Sequence, residues 1–218
     1  MPSLYLSGRP EADTLLSNDP LALLIGMVLD QQIPLEWAFA GPAELKLRLG
    51  GHLDVRALAA MDPDELAAAF SERPALHRYP TSMARRVQEL CLLVVDKYGG
   101  KPEKVWTGAT SGKDLVARLH ELPGFGAQKA RIFGALLAKQ LGVRPEGWEA
   151  ATSPFGDPGT FRSVADIVSA DTLARVRAYK QDMKAAARAA AEKAPAKKAP
   201  AKKTAAEKAP AKKAGGGR

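Results

Sequence analysis

Cysteine is almost absent. The single Cys91 in 218 residues excludes a disulfide framework within the chain and a four-cysteine iron–sulfur cluster. The three histidines are scattered and share no metal-ligand spacing with Cys91, so neither a metal nor another cofactor is expected. Long apolar runs are missing. The longest, residues 21–29, is too short to span a bilayer, and the N-terminus has no charged-then-apolar signal pattern. These features predict a protein of a reducing intracellular compartment, cytoplasmic and without a membrane partner. Aromatics make up only 6% of the chain, whereas alanine and leucine are abundant, which predicts an all-α fold.

The net charge of +8 is unevenly spread. Residues 184–218 carry eleven basic and two acidic side chains, a sum of +9. The other residues carry 21 basic and 22 acidic ones, a sum of −1. Ala-Pro-Ala-Lys-Lys recurs at 194–198, 199–203 and 209–213. Proline there interrupts any helix and no large apolar side chain is present, so residues 189–218 are expected to be a disordered basic tail. Clustered lysine suits non-specific binding of nucleic acid, because each phosphate contact releases counterions. The composition resembles the lysine-rich tails of linker histones.

Residues 1–188 read as a series of capped helices. Asp19-Pro20 is an N-cap followed by proline at the first helical position, and it opens a stretch with almost no charge. That stretch ends in Asp30-Gln31-Gln32-Ile33-Pro34, where the glutamines either cap the helix or face a ligand. A break at Gly41-Pro42 precedes a helix at 43–49. Asp54 and Asp62-Pro63 start two more helices. A long one runs from Ser82 to about Tyr98, with Met83, Val87, Leu90 and Val94 inward and Arg85, Arg86 and Lys97 outward. His77 reads as a loop or capping residue. Trp106 reads as an anchor for the loop to Ser111. Residues 142–163 are rich in glycine, proline and threonine and read as irregular, with a helix beginning near Thr160 and another after Ser169.

Leu115, Leu119 and Leu122 fall at helical spacing, as do Ala130, Phe133, Leu136, Leu137 and Leu141. Pro123-Gly124-Phe125-Gly126 therefore joins two helices in a very short turn. The second opens on small residues that leave its first N–H groups uncovered, which suits a phosphate. The wording Leu122-Pro123-Gly124-Phe125-Gly126-Ala127-Gln128-Lys129-Ala130 resembles the hairpin of the helix–hairpin–helix (HhH-GPD) base-excision DNA glycosylases, the superfamily that includes endonuclease III.

The resemblance spans about residues 20–170. It implies a two-lobed helical body at 1–188, with a central lobe at about 20–141 and a second lobe built from the N-terminal segment and 142–188. It implies a monomer on double-stranded DNA, associated with the nucleoid. The implied activity is monofunctional: hydrolysis of the N-glycosidic bond of a damaged or mispaired base flipped out of the duplex. Gln32 takes the place of the glutamine that fills the vacated position in the duplex. Asp157, in Asp157-Pro158-Gly159-Thr160-Phe161-Arg162, resembles the catalytic aspartate, although it lies about ten residues further from the hairpin than in the family. The other reading of this stretch is an ordinary turn, with Glu146, Glu149 and Asp166 as fallback carboxylates. Gln128 stands where strand-cleaving members carry a lysine, so no lyase activity is expected. Gly124, Phe125, Gly126, Gln128, Lys129 and Arg131 are the expected hairpin contacts to DNA. Lys129 and Arg131 read equally as solvent-facing charges. A monovalent cation on the hairpin carbonyls is implied as well. Trp37, Phe39 and Trp148 are either base-stacking or core residues. The competing reading is a hairpin DNA-binding protein without catalysis, held to DNA mainly by its tail.

Overall fold

The computed structural model describes the backbone of residues 4–193. Most of the basic tail expected at 189–218 lies outside this range; residues 189–193, expected to be disordered, instead continue the final helix. The regular elements of the described residues are all helices, with no strand among them: α1 (Pro10–Asn18), α2 (Pro20–Leu29), α3 (Leu35–Arg48), α4 (Val55–Ala60), α5 (Pro63–Ser71), α6 (Pro80–Tyr98), α7 (Lys104–Thr107), α8 (Gly112–His120), α9 (Ala127–Gln140), α10 (Trp148–Thr152), a 3-10 turn (Val164–Asp166) and α11 (Ala170–Lys193). Two compact units are distinguished, Met1–Asp182 and Met183–Arg218. The candidate site lies wholly in the first. No single described helix is long and apolar enough to cross a membrane.

The central element is α2. Asp19 caps it by accepting from the amides of Leu21 and Ala22, and every residue from Leu21 to Leu29 is buried. Each large aliphatic side chain taken out of water in this way contributes roughly 1.5–3 kcal/mol. Helices α1, α3 and α6 pack around α2, and α4 and α5 pack on α6. Asp54 and Asp62 cap α4 and α5 as their positions predict. Cys91, on the buried face of α6, has its thiol pushed up to about 12 by burial.

Three sequence expectations are corrected. The predicted break at Gly41-Pro42 is absent, and α3 runs straight through it. Both residues are buried, and Gly41 has room only for a hydrogen, since a Cβ would stand 2.6 Å from Leu29 Cδ1. Close packing on α2 thus holds the helix through the missing amide of Pro42. The stretch 142–163 is not wholly irregular, because α10 lies inside it and packs on α8 and α9. The helix expected near Thr160 is instead the 3-10 turn, capped by Ser163 and Asp166.

The α8–α10 contact leads to a prediction. A Cβ on Gly112 would lie 2.4 Å from Trp148 Cα and 2.6 Å from its nitrogen. Backbone cannot step aside as a side-chain end can. Gly112→Ala is expected to lower stability by about 2–3 kcal/mol in thermal or urea denaturation. Gly126→Ala, with nothing within 4 Å of the new methyl, should leave stability nearly unchanged.

Candidate functional site

The turn between α8 and α9 is open on one side and anchored on the other. Ser111 caps α8, and the Phe125 amide closes the turn on the Leu122 carbonyl at 3.0 Å. Phe125 is buried against Phe133, ring centroids 5.9 Å apart. Gly124, Gly126, Ala127 and Gln128 are exposed. Gly124 has φ +83°, a conformation that glycine adopts at little cost. No side chain caps the N-terminus of α9, and the amides of Ala127, Gln128 and Lys129 have no backbone acceptor. They form a small field of free donors at the positive end of a fourteen-residue helix.

The C-terminal end of α2 meets this turn through two cations. Lys129 is turned inward rather than toward solvent. Its Nζ donates to the Met27 carbonyl at 2.6 Å and lies 3.4 Å from that of Val28, with the Phe125 ring 5.6 Å away. These are carbonyls that the end of α2 leaves unpaired. Burial holds the amine down to about 8; Asp30 acts in the opposite direction and Arg86 adds to the depression. Arg86 of α6 is the second cation. It is half-buried, although its position on the helix predicts an outward face. Its Nη1 donates to Gln31 Oε1 at 2.9 Å, and its aliphatic stem lies against Gly124, where a Cβ would be 2.5 Å from its Cδ.

Gln31 is clamped further. Its Nε2 donates to the Val28 carbonyl at 2.6 Å, and its own carbonyl accepts from His77 Nε2 at 2.8 Å. His77 Nδ1 accepts from the Tyr79 amide, so the ring is the neutral Nε2–H tautomer. Burial, the largest cause, lowers the His77 pKa. His77, expected to be a loop or capping residue, lies in the loop before α6 and binds the Gln31 carbonyl.

This clamp ends at Gln32, which is exposed and has φ +57°. Among the described residues it is the one non-glycine with positive φ. Strain of this kind persists only where surrounding contacts over-determine the backbone, and here Gln31 supplies them. Tyr79, at the N-cap of α6, is also 44% exposed and neighbours His77.

The structure therefore brings Gln32, Gly124, Phe125, Gly126, Gln128 and Lys129 into one neighbourhood. Arg131 is partly engaged, with Nη1 donating to the Ser153 carbonyl at 3.2 Å. Asp157 is not brought in. Its carboxylate pairs with Arg162 at 3.0 Å, and its carbonyl accepts from Lys139 near the far end of α9. Lys139 is twelve residues beyond Ala127, ~18 Å of helical rise. Asp166 is bound to Lys139 and to the amides of Arg162 and Ser163. Of the aromatics, Phe39 is core, Trp148 backs onto Gly112, and Trp37 is 40% exposed. Among the described residues no group of three or more His, Cys, Asp or Glu is placed to hold a metal ion.

The sequence marks Gln31 as a cap or a ligand-facing residue, and its side chain caps the Val28 carbonyl; it gives Asp30, Tyr79 and Arg86 no such role. A signal was present for Arg86: it stands three residues after Met83 and four before Leu90, at the edge of a buried face. The contact that matters, with Gln31, spans 55 residues and has no local signature. Compared with known protein families and with curated proteins, the chain matches no family model and no curated sequence.

Proposed function

We propose that this protein acts on duplex DNA as a monofunctional base-excision glycosylase, hydrolysing the N-glycosidic bond of a nucleotide extruded from the helix. The observation that carries this reading is the bridge made by Arg86 and Lys129, which sets a strained glutamine turn beside an open hairpin. In this reading the free amides of Ala127, Gln128 and Lys129 take a backbone phosphate. Gln32 enters the duplex, where its amide both donates to and accepts from the base left without a partner. Tyr79 offers an exposed ring beside it for stacking. The resemblance of residues 122–130 to glycosylase hairpins supports the same reading. The monovalent cation it implies would take backbone oxygens, and among the described residues the Gly124 carbonyl accepts no hydrogen bond.

Strand cleavage through an imine needs an amine free to attack the sugar. Gln128 has none, and the Lys129 amine is engaged by the α2 carbonyls. The placement of Asp157 at the other end of α9 favours a second reading, a hairpin protein that binds DNA without chemistry. One experiment separates the two. Duplexes carrying uracil, hypoxanthine, an alkylated purine or an oxidised guanine pair are incubated with the protein and then treated with alkali. The expected result is alkali-dependent breaks in at least one duplex and no borohydride-trapped adduct. Breaks in none, together with binding indifferent to the lesion, would support the second reading.

A further inference from the structure

We infer that Asp30 is the carboxylate that faces the reacting sugar. The inference rests on the glycosylase reading above and names the group that would carry its chemistry. Asp30 is the C-cap residue of α2, two residues before Gln32, a span of at most ~7 Å of chain. The side chain that fills the gap in the duplex and the acid beside it thus leave the same short segment. The nucleotide that vacates the gap stays tied to the backbone there, so its sugar remains close to this segment. Asp157, whose carbonyl is held by Lys139 near the far end of α9, has no such relation to it.

The state of the side chain agrees. Asp30 is half-buried, and among the described residues its carboxylate takes part in no hydrogen bond and no ion pair. Other carboxylates of this body are already committed: Asp13 to the amides of Leu6 and Ser7, Asp157 to Arg162, Asp166 to Lys139, and Glu36 to Arg177. Burial raises the Asp30 pKa, while Lys180 of α11 and Lys129 of α9 act in the opposite sense from two sides. Burial makes the group a stronger base than an exposed carboxylate. A charge kept partly out of water and left unpaired attracts a developing cation strongly.

The hydrolysis it would serve balances with water alone. The C1′–N bond breaks and its electron pair leaves with the base, while positive charge develops on the sugar beside Asp30. A water oxygen bonds to C1′ as Asp30 accepts one of its protons. That proton then passes to the departed base, returning Asp30 to its carboxylate form and leaving an abasic sugar and a free base.

The test uses the full chain and does not depend on which base is the substrate. Two duplexes are compared, one with a cationic pyrrolidine and one with a neutral tetrahydrofuran in place of the same deoxyribose. The wild-type protein is expected to prefer the cationic duplex by about tenfold or more, as a site complementary to a cationic transition state does. Asp30→Asn should bring the two affinities within about twofold of each other and leave tetrahydrofuran binding intact. Asp157→Asn should keep the preference. A preference that survives Asp30→Asn, or no preference in the wild type, overturns the assignment of Asp30 while the DNA-binding reading stands. Equal loss of both duplexes by Asp30→Asn also overturns it, since the residue then serves binding or folding alone. A wild type that favours neither analogue over an intact duplex overturns the glycosylase reading itself.

Discussion

Gly124→Ala is expected to weaken binding of a tetrahydrofuran-containing duplex by about two orders of magnitude, measured by fluorescence anisotropy at fixed salt. Two costs combine. At φ +83° an alanine incurs about 1–2 kcal/mol that glycine does not. Its methyl would also lie 2.5 Å from Arg86 Cδ, so Arg86 must swing away from Gln31. The charged hydrogen bond lost there is worth about 1.5–3 kcal/mol, and with it goes one of the contacts that hold the Gln32 turn. The turn and the hairpin would then no longer be held in register. Gly142→Ala is the control. Its φ is +72° and nothing lies within 4 Å of the added methyl, so it carries the backbone cost alone. It should melt earlier and still bind. Unchanged affinity in Gly124→Ala would remove Arg86 from its proposed place as the bridge.

The second large effect concerns alkaline pH, where two buried groups act against each other. Lys129 has its folded pKa lowered to about 8 from 10.5. Between these values the unfolded chain binds a proton that the folded chain does not, so stability rises with pH. The contribution is fully present above 10.5 and is lost as pH falls through 8. Cys91 is raised to about 12 from 9.0, so its contribution is present below 9.0 and is lost as pH rises toward 12. Each slope is at most about 1.4 kcal/mol per pH unit, less for Lys129 because solvent reaches part of it. Only Lys129 acts between pH 8 and 9, giving a rise of up to about 1.4 kcal/mol. From 9 to 10 the two slopes largely cancel. Above 10 Tyr98, whose pKa burial raises, adds to the decline. Urea denaturation at half-unit pH steps should trace a rise, a plateau and a fall. Lys129→Met should abolish the rise, and Cys91→Ser should extend it beyond pH 9. A flat wild-type profile between 8 and 9 would mean that the Lys129 amine is solvated rather than bound to the carbonyls of α2.

Helix starts were legible because they are set by residues next to one another. Asp19-Pro20, Asp54, Asp62-Pro63 and Ser111 each offer an oxygen to amides two or three positions on, and that geometry needs no distant partner. The hairpin was legible for the same reason, since proline and glycine punctuate the chain by their own φ preferences. The break misread at Gly41-Pro42 shows where local rules fail: the helix there is held by Leu29 and Phe39 packing across α2 and α3, and packing overrode the proline. Arg86 and Lys129 were misjudged in the same way, because a charged residue on a helix gives no local sign that its head group has found carbonyls or an amide elsewhere.

From the residues alone came the all-helical class, the order of most helices, the short turn at residues 123–126 and the polar end of the most apolar helix. These follow from periodicity, capping and backbone preference, which act over a few residues. The folded chain decided which of those pieces meet. Lys129 reaches back 102 residues to Met27, and Arg86 reaches 55 to Gln31, so Gln32 stands beside the hairpin while Asp157 is tied to Lys139 at the far end of α9. Proximity of that kind depends on how α2, α6 and α9 pack, and packing is a property of the whole core rather than of any one stretch.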